Sequence, residues 1–146
     1  MELKLNRDLF LKSLSHIQGI VEKKNTIPIL ANVLLDASNG KITISATDLD
    51  IIIIEVIKGE IITEGSTTTT AQVIYDLVRK LPSGSEILIS QKTEGQLSLI
   101  SAKSNFNLKC LPPKDFPITQ DDVEGGALAI SSSVFLKLLN KTKFAI

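Results

Sequence analysis

Over the first 21 residues the spacing of apolar positions changes once. Leu3 and Leu5 alternate with polar neighbours, the two-residue period of a half-buried strand. Phe10, Leu14, Ile17 and Val21 then fall three or four apart, which predicts a helix over residues 7 to 24 with one face packed inward. Asn6 stands at the junction as its N-cap, and Asp8, Lys12, Ser15, His16 and Gly19 occupy the opposite face. Pro28 requires that the helix has ended before it. From Ile29 the strand period returns. Leu30 to Ala37 and Lys41 to Ala46 are joined through Asn39-Gly40, the strongest short-range hairpin signal, and Leu49 to Ile57 forms a third strand after a turn at Thr47-Asp48.

The order then recurs. After Glu64-Gly65-Ser66 come a threonine strand, Thr67 to Thr70, and a helix over 72 to 82 with Ile74, Leu77, Val78 and Leu81 inward. Three further strands follow, Glu86 to Gln91, Gln96 to Ala102 and Phe106 to Leu111, separated by turns at Glu94-Gly95 and Ser104-Asn105. Strand, helix, three strands, twice over, predicts an α+β fold: two βαβββ halves, their strands mostly in antiparallel succession, with two helices on one side.

A longer repeat overlies this one. Leu3, Leu5, Phe10, Leu11, Lys12 and Leu14 reappear as Leu128, Ile130, Phe135, Leu136, Lys137 and Leu139, at a constant offset of 125. The expected organisation is a first unit over 1–126, including an acidic linker with Asp115, Asp121, Asp122 and Glu124. Residues 127–146 are then the first strand and helix of a second unit. Units in series would pair sheet edges across their boundaries and so hide strands that a lone unit leaves open.

Composition adds mainly exclusions. One cysteine, Cys110, rules out a disulfide framework and a Cys-rich zinc site and suits a reducing, cytoplasmic setting. The longest aliphatic run, Ile51 to Ile54, is far too short to span a bilayer, so no membrane role is expected.

The zero net charge hides a partition. In the helical segments 7–24, 72–82 and 132–145, nine basic residues (Arg7, Lys12, Lys23, Lys24, Arg79, Lys80, Lys137, Lys141, Lys143) stand against Asp8, Glu22 and Asp76. Helices often carry lysine simply as a solvated face. A shared helical side of that charge would nevertheless attract a polyanion through its phosphates. Trp is absent, and Tyr75 and most phenylalanines sit in core-like patterns, so base stacking has little support and binding indifferent to sequence is favoured.

No catalytic constellation emerges. His16 and Cys110 are the only members of a Cys–His pair, and nothing in the sequence places them together. Asp48 and Asp50 put two carboxylates on one strand face, half of a metal site, but with no third ligand nearby a turn cap at Asp48 is favoured. A metal-dependent nucleic-acid enzyme using Asp48 and Asp50, or a strand-pairing interaction module that never meets DNA, remain the alternatives. No metal and no cofactor are expected.

Several segments in order resemble one family: Leu11-Lys12, Thr26-Ile27-Pro28-Ile29-Leu30-Ala31-Asn32, Ala46-Thr47-Asp48-Leu49-Asp50, Arg79-Lys80-Leu81-Pro82 and Leu111-Pro112-Pro113-Lys114-Asp115-Phe116-Pro117. Together they are similar to the β subunit of bacterial DNA polymerase III, the processivity sliding clamp. The resemblance implies three such domains per subunit, two subunits closed head to tail into a ring, and helices around a hole that passes duplex DNA. It implies no chemistry of its own. The polymerase α subunit and the clamp loader would be engaged through later domains.

Carried over by position, Lys24, with Lys23 beside it, matches a basic DNA-contacting site after the first helix. Lys12, Arg79, Lys80, Gln72, Lys137 and Lys141 complete the expected DNA-facing set, although some relatives carry two basic residues where this chain has Gln72 and Val73. Phe106 and Leu108 match apolar residues at the subunit interface.

Overall fold

The computed structural model describes residues 1–21, 27–117 and 129–145. Strand β1 (Glu2–Asn6) leads directly into helix α1 (Arg7–Ile17), because Asn6 is a real N-cap: its side chain accepts from the Asp8 and Leu9 amides. A 3-10 turn at Pro28–Ala31 precedes β2 (Asn32–Ser38), β3 (Lys41–Thr47) and β4 (Ile52–Ile57). Next come β5 (Gly59–Thr63), β6 (Gly65–Thr70) and helix α2 (Ala71–Lys80). The succession closes with β7 (Glu86–Thr93), β8 (Gln96–Ser101) and β9 (Ser104–Lys109). Beyond residues 118–128, which lie outside the described set, α3 spans Ser132–Thr142 with every residue exposed.

The α+β class and antiparallel pairing agree with the sequence reading; the sheet membership is less simple. One sheet runs β5-β1-β7-β8-β9 and the other β4-β3-β2-β6, all antiparallel. Each half therefore sends its first strand into the other half's sheet: β1 pairs with β7, and β6 pairs with β2. The halves cannot come apart without breaking both sheets.

Several expected boundaries move. The first helix stops at Ile17 rather than running to residue 24, its C-terminal carbonyls being met by Gln18 and then a turn. The third strand begins at Ile52, not Leu49, because Thr47 and Asp48 side chains hold residues 48 to 51 as a loop. The threonine strand starts two residues early, at Gly65. The last strand runs Ser104–Lys109 rather than Phe106 to Leu111, because the turn falls at Ala102 and Lys103 and not at Ser104-Asn105, and strand β5 has no counterpart in the sequence pattern.

The main core joins both sheets to both helices. Phe10, Leu14 and Ile17 of α1 and Ile74 and Val78 of α2 are buried against Leu3, Leu5, Ile44, Ile87, Ile89, Leu97 and Leu99. At roughly 1.5–3 kcal/mol per fully buried large apolar side chain, this cluster is the dominant stabilising term. A smaller cluster of Ile29, Leu30, Leu34 and Phe116 fastens the 3-10 segment and the start of the linker to the outer side of β2.

The candidate nucleic-acid interface

Helices α1 and α2 lie antiparallel and in contact, and polar groups fix their register at both ends. At one end the guanidinium of Arg7, whose side chain is only 12% exposed, donates to Val78 O at 2.9 Å and Arg79 O at 2.6 Å, two carbonyls in the last turn of α2, the first of which also accepts the Leu81 amide. Asp8 locks that arginine at 2.8 Å and also accepts from Ser83 Oγ and the Gly84 amide. At the other end Gln18 Nε2 donates to Gln72 Oε1 at 2.9 Å.

Arg7 first, then the Gly84 amide and Ser83, hold the Asp8 carboxyl below its ordinary value. A depressed folded value means the contribution is complete above the unfolded pKa and is lost as pH falls through the folded one. Asp8→Asn should therefore melt lower than the parent at neutral pH, with the gap closing as pH drops below the ordinary carboxylate range. Melts from neutral to strongly acidic pH test this, and a constant gap would contradict it.

The exposed side of this helix pair carries the candidate charges. Lys12 on α1 and Lys80 on α2 are exposed and form no ion pair among the described residues. Arg79 is exposed but held by Asp76 at 3.1 Å, with its guanidinium 5.6 Å from the Tyr75 ring centre. Gln72 is not free either: its amide nitrogen donates to Asp76 Oδ2 at 2.7 Å. Lys137 and Lys141 are exposed on α3. Lys23 and Lys24 lie outside the described residues.

The network Gln18–Gln72–Asp76–Arg79 did not figure in the sequence reading. Its signal was present in the spacing, since Gln72, Asp76 and Arg79 stand four and three apart on one helical stripe.

On the flank, His16 Nδ1 lies 2.6 Å from Glu55 Oε1, tying α1 to the edge strand β4. Leu9, Lys12, Ser13, Val56, Ile57 and Lys58 complete the groove around that pair.

At the opposite edge, β9 pairs only with β8. The two residues singled out there differ. Leu108 is buried in the core of its own unit, while Phe106 is half-buried, packed on that core. Phe106 and the open backbone of β9 are therefore what this edge offers a neighbour.

The residues weighed for chemistry have structural roles. Asp48 Oδ1 accepts from the Asp50 and Ile51 amides at 3.0 and 2.7 Å, the turn cap expected from sequence. Among the described residues no three His, Cys, Asp or Glu side chains gather as a metal site. Cys110 is buried, and burial pushes its thiol up, whereas His16 is engaged by Glu55. No described helix is long and apolar enough to cross a membrane.

Comparison with known proteins gives this geometry a family. Residues 1–120 match the model of the DNA polymerase III beta subunit, N-terminal domain. The chain is 40% identical over 147 residues to the beta sliding clamp of Caulobacter vibrioides and 30% identical over 148 residues to that of Pseudomonas aeruginosa. Each alignment covers 100% of this chain and 40% of the relative, so the chain spans about two-fifths of their length.

Among solved structures, the Caulobacter crescentus pol III beta superposes with a TM-score of 0.92 at 39% identity, over 99% of this chain and 39% of that one. The Bartonella birtlesii sliding clamp solved with griselimycin superposes at 0.94 with 42% identity, over 99% and 38%. On its strand order, its paired helices and the match across residues 1–120, the chain belongs to the DNA polymerase III β subunit family, through that family's N-terminal domain.

Proposed function

We propose that this chain is a segment of a DNA sliding clamp, a ring that encircles duplex DNA without reading its sequence and tethers the replicative polymerase. Family membership carries this reading. Lys12 and Lys80 on the helix pair, exposed and without an ion pair among the described residues, support it, because they supply attraction to phosphates. Lys23, Lys24, Arg79, Lys137 and Lys141 extend the same positive set, and Gln72 acts as a neutral neighbour within it.

In this reading residues 1–126 are the first clamp domain and 127–146 open the second. The edge at Phe106 meets the last domain of a second subunit, closing a head-to-tail dimer in the cytoplasm. The polymerase α subunit and the clamp loader bind through later domains. The protein is a non-catalytic processivity factor of the polymerase. The metal-enzyme alternative is the weaker reading, because Asp48 caps its own turn through Oδ1 and, among the described residues, no third ligand-type side chain gathers with Asp48 and Asp50.

The test is topological. The ring-forming protein that carries this chain, once loaded, should stay on nicked circular DNA and run off after the circle is cut. Equal retention on both would overturn the proposal. A second expectation concerns charge: Lys23→Glu with Lys24→Glu should weaken duplex binding at low salt and flatten the salt dependence by about two units of slope. An unchanged slope in a titration would remove both lysines from the DNA-facing set.

A further inference from the structure

We propose that Asp76 is a built-in brake on DNA binding: by holding Arg79 it keeps a strong phosphate-binding cation only partly available, so that the helix pair binds duplex loosely. This rests on the clamp reading above. Arg79 is the one guanidinium exposed on this helix pair, since Arg7 of α1 is half-buried and bonded to the α2 carbonyls. Guanidinium is also the group best matched to phosphate, in bidentate geometry, and would otherwise make the firmest contact on this surface.

Asp76 is placed to prevent that. One carboxylate oxygen, Oδ1, takes Arg79 at 3.1 Å, and the other, Oδ2, takes Gln72 Nε2 at 2.7 Å. Gln72 is in turn fixed by Gln18 at 2.9 Å. The carboxylate is thus oriented from behind by two amides in series, the first of them anchored on α1. The Tyr75 ring supports the guanidinium from the side.

A phosphate approaching Arg79 must either displace Asp76 or accept a carboxylate about one ion-pair distance away. Either way, the attraction is cut. For an exposed pair the internal bond itself is weak, so its loss costs the fold little. The consequence lies in what the arginine is then free to bind. Loose contacts suit a ring that must move along the duplex, because each phosphate contact has to be released at every step.

The experiment uses Asp76→Asn, which keeps a partner for Gln72 while removing the charge. Anisotropy titrations of a short labelled duplex at several salt concentrations should show binding about three- to tenfold tighter at low salt. The dependence of log K on log salt should steepen by about one unit, the value for one added phosphate contact. Measured against Arg79→Ala alone, the double variant Asp76→Asn with Arg79→Ala should show neither gain.

A slope unchanged in Asp76→Asn, in a protein that melts like the parent, overturns the proposal. So does a gain that survives removal of Arg79, since general charge would then be its source. Should Asp76→Asn not fold, Asp76→Ser serves for the same titration. If the parent chain shows no salt-dependent duplex binding, the clamp reading of this surface fails; if the parent binds and only the variant's slope is unmoved, the brake alone falls.

Discussion

Replacing Gly59 by alanine should destabilise the protein by about 3 kcal/mol, the upper part of the usual range for overpacking. A Cβ built there would lie 2.5 Å from Leu5 Cδ2, 2.6 Å from the Lys4 carbonyl oxygen and 2.9 Å from Ile42 Cδ1. A leucine methyl can rotate away. The carbonyl cannot, because Lys4 belongs to β1, which is paired on both sides, with β5 and β7.

Gly59 sits directly opposite Leu5 in that ladder, so relief requires β5 to lift off β1 at its first pair. The outer strand would loosen and Leu5, now buried, would gain solvent. A shift of the urea midpoint with little change in slope is expected for the intact two-state unit. A loss below about 1 kcal/mol would mean that the crowding is relieved by side-chain motion alone.

The same glycine explains why β5 was illegible in the sequence. Its five residues are almost wholly exposed, only Ile61 being half-buried, so neither an alternating pattern nor an apolar run marks it. It forms because β1 needs a neighbour and a close approach is possible at Gly59. That requirement is tertiary, and no local window contains it.

The helices and central strands were legible for the opposite reason. Phe10, Leu14 and Ile17, or Ile87 and Ile89, carry their burial in their own spacing, and the structure buries each of them. The exchange of β1 and β6 between sheets left no trace, since a strand's pattern states which face is buried and not which partner it takes.

The candidate site divides along the same line. Lys12 and Lys80 were readable as exposed cations because helical period alone assigns them to the solvent face. That Arg7 would be consumed by the carbonyls of α2, over 70 positions away in sequence, was not readable, and neither was the amide link from Gln18 to Gln72. Charge counting overstates the free positive surface accordingly. Of the two arginines in α1 and α2, one is structural and the other is held.

Thr68→Val should cost about 2–4 kcal/mol, although it changes neither volume nor shape appreciably. The Thr67–Thr70 run looks like an ordinary β-branched strand, and its propensity is that of one. The structure gives the hydroxyls a further task. Strand β6 is an edge of its sheet, and it lies against the chain leaving β9 of the other sheet.

Side-chain oxygens bond the two there. Thr68 Oγ1 donates to Leu111 O at 2.7 Å and accepts from Leu111 N at 3.2 Å and Asn32 Nδ2 at 3.1 Å. Thr69 Oγ1 donates to Lys109 O at 3.2 Å. Valine at 68 would leave the buried Asn32 amide without that partner, at a cost on the order of 1–3 kcal/mol, and would also break both bonds to the backbone of Leu111, an exposed residue.

The seam it weakens joins the two sheets, so the effect should be global unfolding and not local fraying. Thr68→Ser, which keeps the hydroxyl and loses a methyl, should recover most of the stability. Thermal melts of the three proteins test this. A valine variant as stable as the parent would show that the strand exchange alone, β1 one way and β6 the other, holds the sheets together without the hydroxyl seam.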